Sequence, residues 1–221
     1  MTRLEIGNLY DIANTIASYI FEGKKYAFEV LPEIKEFIVG LSVTLDSHKF
    51  DDLGNGVFVA KSAKVASSAS ITGPCIIDED AEIRHCAFIR GNTIVGKGAV
   101  VGNSTELKNV ILFDKVQVPH YNYVGDSVLG YKSHLGAGAI TSNVKSDKTN
   151  VSITLDTKKY NTNLRKFGAI LGDSVEVGCG TVLNPGTVVG KNTNIYPLSM
   201  VRGYVGENSI YKSRGDIVRK S

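Results

Sequence analysis

From Val59 onward an aliphatic residue returns at every sixth position. The series runs Val59, Val65, Ile71, Ile77, Ile83, Ile89, Val95, Val101, Leu107 and Phe113, and the next place in phase is Pro119. Four places after most of these stands a small residue, as at Ala63, Ala69, Cys75, Ala81, Ala87 and Ala99. The same phase returns at Leu171, Val177, Leu183, Val189, Ile195 and Val201, and a middle piece keeps the step from Leu129 to Leu135. A short fixed period means a solenoid, because one unit cannot bury its own apolar side and must stack on the next. Each hexad supplies a short strand and a corner. The aliphatic side chain points inward, the small one fits the turn, and the residue after the aliphatic one points out. Three flats close a triangular coil of about 18 residues, and some 20 hexads predict six to seven coils stacked about 4.8 Å apart.

Before the repeat the pattern is helical. In NLYDIANTIASYIF, Leu9, Ile12, Ala13, Ile16 and Ile20 fall on one face behind Asn8 as N-cap, which predicts a single amphipathic helix. In LPEIKEFIVGL, Pro32 opens a second helix with Ile34, Phe37, Ile38 and Leu41 on its buried side. The expected organisation is therefore a helical segment at 1–55, a β-solenoid at 56–205 with an inserted loop at about 143–167, and a basic tail at 206–221.

Composition narrows the setting. The 221 residues are 43% hydrophobic with a formal net charge of +3, too weak and scattered a surplus to indicate a nucleic-acid partner. Cys75, Cys86 and Cys179 are far apart and odd in number, which argues against a disulfide framework or zinc site and fits a cytoplasmic home. No membrane span or leader is expected.

A regular solenoid shows its function through its deviations. Arg90 and Lys108 each follow an inward residue and lie 18 apart, so they should stack on adjacent coils. Two cations about 5 Å apart at the backbone call for an anion between them, and a phosphate is the obvious one. At PHYNYVGD the rhythm fails, which sets His120, an imidazole able to take a proton near neutral pH, at an irregular corner. The stretch from Asn143 to Phe167 carries no hexad. Val151, Ile153 and Leu155 alternate there before DTKK, predicting a hairpin, and six basic side chains stand against two acidic ones. That surplus exceeds the whole chain's, so a loop able to close over phosphates carries the positive charge.

The tandem pattern in VGKGAV, VGCGTV and VGKNTN resembles the hexapeptide-repeat acyltransferases, which implies a left-handed parallel β-helix; the period alone does not fix the hand. VGNSTELKNV, PHYNYVGDSVLG, LGAGAITSN and NLRKFGAILGD resemble, over about residues 59–205, a narrower family. It is the acetyltransferase domain of the bifunctional glucosamine-1-phosphate N-acetyltransferase/N-acetylglucosamine-1-phosphate uridyltransferase, most like its archaeal version. The resemblance implies that Arg90 and Lys108 bind a sugar phosphate, that His120 in H-x-x-Y-x-G-D is the general base, and that Tyr123 contacts the sugar. It implies a catalytic Asn143, acceptor contacts at His134 and Lys148, and an acetyl-CoA site at Ala137, Gly138 and Cys179, with N–H groups of Gly136 to Gly138 beside the thioester. Here His134 stands where the family usually has asparagine, Val144 where it has tyrosine, and Thr149 where it has lysine, with Lys148 one place early.

The resemblance also implies a homotrimer with sites between subunits and acetyl transfer to a hexosamine 1-phosphate without a metal. Only about 55 residues precede the repeat, so no uridyltransferase activity is expected. One rival is a sugar-phosphate or sugar-nucleotide binding protein without turnover. A carbonic anhydrase on the same solenoid would need a close HxxxxH pair, which His48, His85, His120 and His134 lack.

Overall fold

In a computed structural model, which describes residues 2–220, the hexads form short parallel strands on three flats. The architecture is the parallel β-helix of hexapeptide repeats that the sequence and its family resemblance implied. The first flat stacks Val65, Ile83, Val101, Val118, Leu135, Val177, Ile195 and Tyr211. The second stacks Ile71, Ile89, Leu107, Val124, Thr141, Leu183 and Val201. The third runs from Val59 through Ile77, Val95, Leu112, Leu129, Leu171 and Val189 to Val205. These make seven complete coils, numbered here from the one that begins at Val65, with one extra rung at each end.

The hexads do slip, contrary to the unbroken series read above. Leu107 stacks on Ile89, 18 residues back, but Val110 stacks on Thr93 and Leu112 on Val95, 17 back. One residue is lost at the corner after Lys108, where Asn109 alone takes the place of Gly91 and Asn92. The inward residues that follow are therefore Leu112 and Val118, not Phe113 and Pro119. The corner at His120 is regular, six residues from Val118 to Val124, but PHYNYVGD carries the same short step one corner later, where Asp126 stacks on Asn109 and Leu129 follows Val124 by only five residues. The irregularity expected at His120 lies instead at the next corner of the same coil, at Asp126, and begins one coil earlier, at Asn109.

Phe113 is fully buried for a different reason. Its ring lies 4.9 Å from Tyr10 and 5.7 Å from Phe21, facing the N-terminal segment. The third flat is apolar on both sides: Ile76, Ile94, Ile111, Val128, Ile170 and Val188 point outward, yet all are buried. Residues 4–42 cover them, and the helix Ile34–Ser42 packs on the strands at 75–77, 93–95 and 106–112. Each such aliphatic contributes about 1.5–3 kcal/mol on burial, so this segment is integral to the solenoid.

The second predicted helix is present, but the first is not one helix. Ile6–Leu9 makes a single α-turn, and Ile12–Asn14 and Ser18–Phe21 are 3₁₀ turns. Tyr10 and Thr15 are extended between them. Docking dictates the break: the Asp11 N–H donates to Asp173 Oδ2 at 2.8 Å, the Tyr10 hydroxyl donates to the Val128 carbonyl at 3.3 Å, and the Asp114 N–H donates to the Asn14 carbonyl at 3.0 Å. Burial of Tyr10 and Phe21 leaves Ile12, a member of the predicted stripe, 39% exposed.

The excursion leaves at Asn143 and forms the expected hairpin, Ser152–Leu155 against Lys158–Asn161. Val151 and Ile153 are buried, and Tyr160 stacks edge-on against Tyr26. At the far end Ser209–Ser213 and Asp216–Arg219 pair as an antiparallel hairpin that closes the first flat.

Candidate active site

The predicted residues gather on the second flat and its two bounding corners. At the corner before that flat, the residue two places past each inward residue forms a column: His85, Asn103, His120, Ala137 and Cys179 on coils 2 to 6. Inter-coil bonds fix this stack, with the Gly138 N–H on the His120 carbonyl at 3.0 Å and the Gly180 N–H on the Ala137 carbonyl at 2.8 Å. His120 is exposed, and its imidazole makes no hydrogen bond among the described residues. Its backbone N–H donates to Asn122 Oδ1 at 3.1 Å.

Asn122 takes the inward corner place that holds Ala87, Thr105 and Ala139 on coils 2, 3 and 5. It is 2% exposed, and its amide donates to the carbonyls of Gly136 at 2.8 Å and Ala139 at 3.0 Å. One buried amide thus ties the His120 corner to the Gly136–Gly138 turn. Of the three N–H groups expected to face an oxyanion, that of Gly136 is taken by the Val177 carbonyl and that of Gly138 by His120. Among the described residues only the Ala137 N–H has no acceptor, so the turn offers one donor rather than three.

The next position along the same corner carries a left-handed φ on coils 2 to 7: Cys86, Ser104, Tyr121, Gly138, Gly180 and Leu198. Gly138 and Gly180 leave two coils bare between Tyr121, 65% exposed, and Leu198, 85% exposed. The result is a slot three coil steps long, about 14 Å. Leu198 leans into it, since a Cβ on Gly180 would meet Leu198 Cδ2 at 2.8 Å. Cys179 is exposed beside this slot. A slot with apolar ends and a free N–H on its wall can take an extended chain that carries one hydrogen-bond acceptor.

On the flat itself Arg90 and Lys108 stack on adjacent coils as the 18-residue spacing predicted. They are not bare cations. Arg90 Nη1 is 2.7 Å from Glu106 Oε1, and Lys108 Nζ is 3.5 Å from both oxygens of Asp126. Tyr123 is the neighbour of Glu106 on the next coil. Burial, then the carboxylates of Asp126 and Glu106, push its phenol above the usual tyrosine range, so it stays protonated at neutral pH.

At the far corner the shortened coils set Asn109, Asp126 and Asn143 in a second column. Asp126, buried, accepts from Asn109 Nδ2 at 3.1 Å and from Asn143 Nδ2 at 2.5 Å, and Asn143 Nδ2 also reaches the Tyr123 hydroxyl at 3.3 Å. Gly125 makes room for this: a Cβ there would stand 2.6 Å from the Tyr123 hydroxyl.

Two predicted residues lie apart from the flat. His134 is on the outward row of the first flat, its Nδ1 2.8 Å from Glu176 Oε2. Lys148 is an exposed turn residue of the excursion, where Lys145 pairs with Asp147 at 3.0 Å. A cleft of about 720 Å³ under that excursion is lined by Ser142, Lys145, Asn184, Arg202 and Tyr204 and does not include His120. Among the described residues no group of three or more His, Cys, Asp or Glu is placed to hold a metal, and no helix is long and apolar enough to cross a membrane. Glu106, Asn122 and Asp126 received no role from the sequence. The signal was there for Asn122, an amide where the series has Ala or Thr, and for Asp126, midway between two asparagines at steps of 17.

Fold and site together define a hexapeptide-repeat β-helix protein with one polar, functionally equipped flat. The chain belongs to the family of the GMPPB C-terminal domain, whose model matches residues 71–193. It is 33% identical over 182 residues to the bifunctional protein GlmU of Methanococcus maripaludis strain C5, covering 74% of this chain and 44% of that protein. It is 31% identical over 178 residues to the bifunctional sugar-1-phosphate nucleotidylyltransferase/acetyltransferase of Sulfurisphaera tokodaii, covering 72% and 44%. The chain thus spans less than half the length of these relatives. Among solved structures, the acetyltransferase domain of PglB from Neisseria gonorrhoeae in complex with acetyl coenzyme A matches with a TM-score of 0.40 at 15% identity, covering 81% of this chain and 62% of that one.

Proposed function

We propose that this chain is an acetyl-CoA-dependent N-acetyltransferase acting on a hexosamine 1-phosphate. The observation that carries the reading is the pairing, on adjacent coils of one corner, of an unengaged imidazole at His120 with an unengaged N–H at Ala137, held in register by Asn122. A base and a hydrogen-bond donor set one coil apart, about 4.8 Å, suit attack on a carbonyl held between them. The partial likeness to sugar-1-phosphate acetyltransferases supports the same chemistry.

Acetyl-CoA supplies the activated acyl group, and the slot above His120 holds its arm. His120 takes a proton from the amine as the new N–C bond forms and the C–S bond breaks; the proton then leaves with the thiol. The Ala137 N–H receives the charge that develops on the carbonyl oxygen. Lys108 and Arg90 meet the phosphate, and Tyr123, a protonated phenol, donates to the sugar. Each cation exchanges or shares a carboxylate partner on binding, so phosphate recognition is an ion exchange within the flat and weakens with salt.

The test is release of free CoA thiol from acetyl-CoA with glucosamine 1-phosphate and galactosamine 1-phosphate, comparing the parent with His120→Ala. A general base contributes about 10²–10⁴ in rate, so the variant should fall by that factor. No release with any amino-sugar phosphate would leave the binding-protein reading in its place.

A further inference from the structure

We propose that Asp126 is a positioning residue for the acceptor, acting through Asn143 and Lys108, and that the N-terminal segment holds it in place. The inference rests on reading this flat as the acceptor site.

The hydrogen bonds form one continuous line. The Leu31 carbonyl, in the N-terminal segment, accepts from Asn109 Nδ2 at 3.1 Å, and the same nitrogen donates to Asp126 Oδ1 at 3.1 Å. Asp126 Oδ2 then accepts from Asn143 Nδ2, whose second hydrogen goes to the Tyr123 hydroxyl. Both hydrogens of each asparagine amide are therefore spent. Asn143 has only its Oδ1 left for a ligand, so it meets substrate as an acceptor. Such a group suits an ammonium or an amide N–H and is wrong for a developing oxyanion. The line also leaves the Tyr123 phenolic proton free, because the hydroxyl accepts from Asn143.

The corner itself does not ask for a carboxylate. Asp126 sits at φ 48°, as Asn109 sits at φ 54° on the coil below, and asparagine suits that left-handed conformation at least as well. A buried charge is costlier than a buried amide unless it is paired. What the carboxylate adds is acceptance on both oxygens at once, which fixes the orientation of both asparagines, and a counter-charge for Lys108. Lys108 Nζ stands equally far, 3.5 Å, from each oxygen. Held at that distance, the ammonium is aimed along the flat without a short bond that an incoming phosphate would have to break.

The experiment compares the full chain with Asp126→Asn, both labelled with ¹⁵N at asparagine, and measures transfer kinetics on the same samples. In the parent, the Asn143 carboxamide, assigned by its loss in Asn143→Ala, should give two widely separated, slowly exchanging proton signals. In Asp126→Asn these should converge, and the acceptor KM should rise about tenfold or more, the scale of a buried charged hydrogen bond, with the acetyl-CoA KM unchanged. Asn109→Ala, which cuts the tie to Leu31, should move the acceptor KM in the same direction by less. Unchanged Asn143 signals in Asp126→Asn would overturn the proposal, as would a parallel rise of both KM values with a lowered melting temperature. Should the parent transfer no acetyl group to any amino-sugar phosphate, the proposed function fails, while the carboxamide signals still decide whether Asp126 sets Asn143.

Discussion

Replacing Gly125 by alanine should disturb the site while sparing the fold. Its backbone is not in the left-handed region, so the strain is purely steric. The new Cβ would lie 2.6 Å from the Tyr123 hydroxyl, 2.9 Å from its Cζ and 3.0 Å from Asn143 Nδ2. To reach ordinary contact at 3.4 Å the hydroxyl must retreat about 0.8 Å, and the 3.3 Å bond to Asn143 is lost. A lost hydrogen bond at about 1 kcal/mol and a rotated ring at about 0.5–1.5 kcal/mol together give about 2 kcal/mol. For a chain of this size that lowers the melting temperature by about 4–8 °C. Activity should suffer more, because misplacing a positioning group by nearly 1 Å costs up to about 10²-fold. Calorimetry on a cycle of Gly125→Ala and Tyr123→Ala isolates the cause: with Tyr123 already removed, the alanine should cost little. An equal loss of stability in both backgrounds would refute the collision.

Other consequences can be checked one by one. Phe113→Ala empties the contact with Tyr10 and Phe21 and should cost about 3–5 kcal/mol, with proteolytic cleavage appearing first in residues 2–49 if the ring anchors that segment. Asn122→Ala strands the buried Ala139 carbonyl and leaves the Gly136 carbonyl with only the Ala139 N–H, so it should cost about 2 kcal/mol, with a loss of turnover beyond that of a comparably destabilised variant elsewhere. Asp147 is held down to about 2 by the Thr149 N–H, then by Lys145 and the Thr149 hydroxyl. Since that lies below the unfolded carboxyl, its contribution is complete above about pH 4 and is lost as pH falls through 2. The Thr149 amide shift should titrate near 2, and a midpoint at the ordinary aspartate value would contradict the Asx turn.

How much of this was written in the sequence depends on which interaction decides each position. The hexads alone predict the stack of Leu107 on Ile89, because inward packing repeats identically on every coil. Phe113 was misread because a bulky apolar residue in phase looks inward; only its contacts with Tyr10 and Phe21 show that it serves the outer layer. The doublets in CIID, TIVG and AILG did announce a flat apolar on both sides, and thus a covering segment, but a six-residue reading counts one residue of each pair. The first helix failed because Asp173 and Val128, far along the chain, pull Asp11 and Tyr10 out of helical conformation. The residues of the flat were legible by type and spacing. Their ion pairs were legible only in part: Arg90 with Glu106 joins coils still in the 18-residue register, whereas Lys108 with Asp126 depends on the register after the slip.

The account's central claim is that one flat recognises a phosphate at its cationic end while His120 acts on the amine at its other edge. The most direct test is the ratio of kcat/KM for glucosamine 1-phosphate to that for unphosphorylated glucosamine. The parent should favour the phosphate about 100-fold or more, the scale of two charge-assisted contacts. Lys108→Met should collapse that ratio, and His120→Ala should lower both rates while leaving it intact. A parent ratio near one, or one that survives Lys108→Met, would contradict the account.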